Sequence, residues 1–147
     1  MIYVDRIVGR LVETRWVSPM DDGDMRHFLN RTSMIFNASP HPLVVFADVT
    51  QTLVMPPKRT EELITLMKAD NPKIERNGLL VGDSATFILQ MERVIREAGS
   101  PQRKTFRDFP ALRQWLAPVL TPDELTRIDV FRHESNELLA TAPWGER

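Results

Sequence analysis

The chain has no cysteine among its 147 residues, so neither disulfides nor thiol chemistry can enter its folding or function. That usage suits a reducing compartment and sets the expectation of a cytoplasmic protein. Net charge is nearly absent as well: 19 basic side chains against 20 acidic ones leave -1. Such a balance gives no electrostatic reason to expect nucleic acid or an acidic membrane as partner. No apolar run approaches the roughly 20 residues needed to cross a bilayer, so no membrane span is expected. Charge interrupts Met1-Ile2-Tyr3-Val4-Asp5-Arg6 at once, which does not read as a secretory signal. The histidines His27, His41 and His133 are isolated, and no pair has metal-ligand spacing. No nucleophile–base pair or cofactor loop can be assembled, so the expectation is no enzyme, no cofactor and no metal.

What the chain does have is rhythm. After an opening hairpin, strand-like stretches alternate with helix-like ones, which predicts one small α/β domain. The sheet is expected to be mixed and mostly parallel, with about four or five strands and helices packed on it. Ile2 to Val4 and Arg10 to Val17 read as the first strands, with Gly9 at the turn. In the second, Val12, Thr14 and Trp16 share one face and Leu11, Glu13 and Arg15 the other. A 3.6-residue period through Met25, Phe28, Leu29, Thr32, Ile35 and Phe36 predicts a helix ending near Asn37, before Pro40 and Pro42.

Leu43 to Val49 is apolar up to Asp48, as a strand buried on both faces reads. Pro56-Pro57 opens a second helix, with Leu63, Ile64 and Met67 inward. Leu79-Leu80-Val81 is another buried strand, followed by Gly82 and Asp83; Asp83 or Ser84 would cap a helix over Ala85 to Ala98 that stops at Gly99. Arg103 to Phe106 reads as the last strand. Asp108 caps the next helix, whose Leu112, Trp115, Leu116 and Val119 face inward. Thr121-Pro122-Asp123-Glu124 matches a capping box. The domain is expected over 1–133, with the period lost from Glu134 and a frayed tail over 134–147.

Taken in order, these units resemble a STAS-like domain, of the group allied in fold to the CRAL-TRIO lipid carriers. The resemblance covers roughly residues 2–132. It rests on Arg76-Asn77-Gly78-Leu79-Leu80-Val81-Gly82-Asp83, on Gln90-Met91-Glu92-Arg93, and on Phe106-Arg107-Asp108 followed by Ala111 and Trp115-Leu116. It implies a mostly non-enzymatic, signalling module that binds a protein partner, in some members switched by phosphorylation after the central strand. The matching region here is Asp48-Val49-Thr50-Gln51-Thr52; the aspartate is kept and the serine–glycine element is absent.

The candidate regulatory or ligand edge is therefore Asp48, Thr50, Thr52, Asp83, Ser84 and Thr86, all at strand ends or a helix start. Ligands of open α/β sheets bind at the carboxyl ends of strands. Two carboxylates on neighbouring strands would share a divalent ion; the plainer reading makes Asp83 a cap and Asp48 a loop brace. Hydroxyls at a helix N-terminus suit either a cap or a phosphate. From Glu92 to Arg113 six basic residues face three acidic ones, which suits a solvated face or an acidic partner. The expected function is protein binding or regulation, with a protein partner or a second copy of the chain. The alternative is a small apolar-ligand (lipid) carrier, whose pocket Met25, Met34, Met55, Met67 and Met91 with Phe28, Phe36 and Phe87 would line. A metal-dependent enzyme comes third.

Overall fold

A computed structural model describes residues 1–141, with side chains to Leu138. It is a single α/β domain. Five strands, β1 (Ile2–Asp5), β2 (Leu11–Val17), β3 (Leu43–Gln51), β4 (Ile74–Val81) and β5 (Arg103–Phe106), lie in the sheet in that order. β1 is antiparallel to β2 and every other pairing is parallel. Three helices connect the parallel strands: α1 (Asp22–Ala38), α2 (Pro57–Asp70) and α3 (Ala85–Ala98). Each step moves one strand in the same direction, so crossovers of one hand put all three helices on one face. α4 (Phe109–Leu116) and α5 (Pro122–Thr141) cover the other.

The strand alternation divides the core in two. Val12, Trp16, Val45, Ala47, Val49, Leu79 and Val81 pack beneath α1, α2 and α3. Leu11, Val44, Phe46 and Leu80 pack against Leu112, Leu116, Ile128 and Phe131 of α4 and α5. β3 is thus buried on both faces, which explains its unbroken apolar run. Gly78 lets α4 come close to β4, since a Cβ there would sit 3.0 Å from Leu112 Cγ.

The helix ends follow their capping chemistry. Asp21 and Asp24 form a reciprocal capping box, starting α1 at Asp22. Ser84 caps α3, whose C-terminal Gly99 takes φ 65°. Asp108 accepts from the Ala111 amide at 3.1 Å. Thr121 and Glu124 form the expected box, at 2.8 and 3.2 Å.

Two expectations change. Trp115, expected inward, lies half-buried at the rim, its ring centre 5.5 Å from that of Phe106 and with Arg76 over the indole, while Leu116 takes the core position. α5 also runs past Glu134 to Thr141, anchored by the buried Ser135 hydroxyl, which donates to the Phe131 carbonyl at 3.0 Å. Residues 142–147 of the expected tail lie outside the described residues.

Candidate functional site

The carboxyl ends of β2, β3 and β4 point the same way and open into one edge. Gly82 draws the β4 end against β3: a Cβ there would lie 2.3 Å from the Thr50 carbonyl oxygen. An open groove results, lined by Val17, Ser18, Pro19, Thr50, Gln51, Thr52, Leu53, Asp83 and Ser84. Four of the six candidate residues therefore lie in one place.

Their chemistry is unequal. Asp48 is buried on the α5 side of the sheet. Its Oδ2 accepts from Arg132 at 2.8 Å, and its Oδ1 accepts from the Thr50 hydroxyl at 2.8 Å and amide at 3.2 Å. Asp83 is exposed and makes no hydrogen bond or ion pair among the described residues. One carboxylate is thus committed to α5 and the other lies in the groove, so the two form no common cluster. Among the described residues, no three His, Cys, Asp or Glu side chains group as a metal site.

The hydroxyls divide in the same way. Thr52 is buried, its Oγ1 donating to the Trp16 carbonyl at 3.4 Å. Ser84 accepts from the Phe87 amide at 3.2 Å, so it, not Asp83, is the cap. Thr86 is exposed in the first turn of α3. The loop after β3 is held to α3 by Gln90, which accepts from the Met55 amide at 2.9 Å and donates to its carbonyl at 2.8 Å. Beyond that brace, Leu53 and Val54 are 63% and 58% exposed.

A second polar layer, between the sheet and α5, escaped the sequence reading. Glu13 is wholly buried, with Arg127 Nε 2.7 Å from its Oε1 and the Tyr3 hydroxyl 3.1 Å from its Oε2. Arg127 also meets Glu134 at 3.1 Å. Arg15 donates to Ser135 Oγ at 2.7 Å and lies 4.4 Å above the Phe131 ring. Burial lowers the Arg15 pKa, opposed by nearby carboxylates, Asp48 foremost. The only advance signal was the shared face of Leu11, Glu13 and Arg15; their partners on α5, Arg127 and Ser135, lie more than a hundred residues on in the chain.

A third cluster sits under the α2 C-terminus. Asn71 accepts from Ser100 at 2.7 Å and from Arg103 Nε at 3.3 Å, and donates to the Ala98 carbonyl at 2.8 Å. Arg103 also donates to Asn77 Oδ1 at 2.9 Å and to the Met67 carbonyl at 3.3 Å.

The chain matches no protein-family model, no curated protein and no solved structure. No helix among the described residues is long and apolar enough to cross a membrane.

Proposed function

We propose that the chain is a non-enzymatic, STAS-like binding module that takes a protein partner at its strand-end edge. The observation that carries this reading is the contrast within that edge. Asp48, Thr50, Thr52 and Ser84 spend their polar atoms on internal bonds, while Leu53 and Val54 stand in solvent beside the groove. Exposed branched side chains on a braced loop suit seating in an apolar pocket of another protein. Thr86 is the regulatory hydroxyl in this reading: a phosphate there would sit beside the free amides and positive end of α3.

The test compares capture by the wild-type chain, by a Leu53→Asp/Val54→Asp double variant and by Leu89→Asp, an equally exposed site on the outer face of α3. A partner kept by wild type and Leu89→Asp but lost by the double variant supports the edge. A partner kept by all three contradicts it. Sedimentation of the purified chain separates a foreign partner from a second copy.

A further inference from the structure

The sheet ends at β5, and no described strand pairs with its outer edge. The Asn77 amide donates to the Gln102 carbonyl at 3.0 Å, so in the parallel register Lys104 and Phe106 turn their backbone groups to β4. Thr105 then turns its N–H and C=O the other way, where no described residue bonds them. The edge is held firmly from behind, because Arg103 ties it to Asn71, Asn77 and the Met67 carbonyl.

On the α4 side this edge carries a continuous row of cations and rings. Arg76 lies 5.1 Å over the Trp115 ring, Trp115 is 5.5 Å from Phe106, and Lys104 Nζ is 5.3 Å from Phe106. Both rings are half-buried; Lys104 and, just past the strand, Arg107 are exposed. Among the described residues, Arg76, Lys104 and Arg107 have no carboxylate within ion-pair distance, whereas Arg93 pairs with Glu61 and Glu97, and Arg113 with Asp129. Asp108, next to Arg107, is taken up as the α4 cap. Two of the six basic residues between Glu92 and Arg113 thus stand uncompensated at one edge. At the opposite edge, Asp5, the only charged residue of β1, is paired with Arg31 at 2.8 Å.

We propose that the β5 edge takes an acidic, extended segment of a partner protein as a sixth strand. Its backbone pairs with the outward groups of Thr105, its carboxylates meet Lys104 and Arg107, and an apolar side chain lies on Phe106. Strand addition draws affinity from such backbone groups and specificity from alternate side chains. Charge complementarity selects the occupant. A second copy fits poorly, since β5 against β5 crowds Lys104 and Arg107 with their own copies, and a lysine on a short edge strand opposes such pairing. A nucleic-acid strand fits poorly too, since it has no use for the strand's backbone groups and the chain's net charge of -1 does not attract a polyanion. The site is separate from the strand-end groove, whose lining contains none of these residues, and does not depend on it.

The test uses the full, isotope-labelled chain with three blocked heptapeptides: glutamate alternating with valine, the same with proline at its centre, and lysine alternating with valine. The first should shift the resonances of residues 103–107 and the Trp115 indole N–H, and slow exchange of the Thr105 amide. The proline peptide, equal in charge, should bind about tenfold more weakly because it lacks a ladder donor, and the lysine peptide should not bind at ~1 mM. A Lys104→Gln/Arg107→Gln variant, changed only at exposed positions, should weaken the acidic peptide about tenfold, the worth of two exposed ion pairs. Equal binding of the proline peptide would reduce the edge to loose charge attraction and overturn the proposal. So would shifts confined to other residues, tighter binding of a single-stranded oligothymidylate, or a dimer that protects the Thr105 amide without peptide. No binding of the acidic peptide at ~1 mM would overturn it as well.

Discussion

Arg127 of α5 closes a two-point ion pair on Glu13 of β2, a carboxylate with no exposure to solvent. The pair spans 114 residues of chain and joins the last helix to the sheet. Removing one partner leaves a buried charge alone. Arg127→Met should therefore cost about 3–5 kcal/mol in urea unfolding, and a Glu13→Met/Arg127→Met double variant should cost less than the single. Equal losses would show that the two residues act separately.

The same carboxylate acts on Tyr3. Burial, and then Glu13, push the phenol up from 10.0 to about 12. A raised acid pKa means that the folded chain favours the neutral phenol. The resulting stabilisation is intact below pH 10 and is lost as pH rises from about 10 to 12. An ultraviolet titration should find the Tyr3 midpoint near 12 in the wild type and lower in Glu13→Gln, though still above 10 because burial persists. A wild-type midpoint at 10 would contradict the buried contact.

Gly82 sets the geometry of the candidate edge. Gly82→Ala drives a methyl group to 2.3 Å from the Thr50 carbonyl oxygen, where backbone must move. The expected loss is about 1–3 kcal/mol, with chemical-shift changes spreading from 50–55 to 82–86. A neutral effect with unshifted resonances would mean that β3 and β4 do not meet there as described.

Leu116 and Trp115 separate core from rim. Leu116→Ala should cost about 2–5 kcal/mol, as for a fully buried leucine, and Trp115→Ala measurably less because the indole is only partly buried. The reverse order in urea would place the indole in the core.

Local chemistry made much of this fold legible. The α3 limits follow from Ser84 and Gly99, and β3 announces itself by its apolar run. The inward face of α1 follows from its period, though Leu29 packs only partly. Trp115 misled because its spacing fits both core and rim, and Arg76, which covers it, comes from a distant strand. The candidate edge was legible as a place, since strand ends and helix starts are local features. Asp48 does brace Thr50 as its position at the strand end suggests, but its tie to α5 was not legible: Arg132 lies 84 residues away, and no pattern within β3 announces it. The sheet–α5 layer stayed hidden for the same reason, because Glu13 and Arg15 alternate with apolar residues as solvent-facing residues do. Thr32 read as part of an apolar stripe, and only three dimensions show its hydroxyl unpaired.

The central claim, a protein partner at the strand-end edge, is tested most directly by amide hydrogen exchange on the chain with and without its captured partner. The account predicts slowed exchange at residues 51–55 and 82–87, with α4 and α5 unchanged. Slowed exchange confined to α4 and α5, with the edge unaffected, would contradict it.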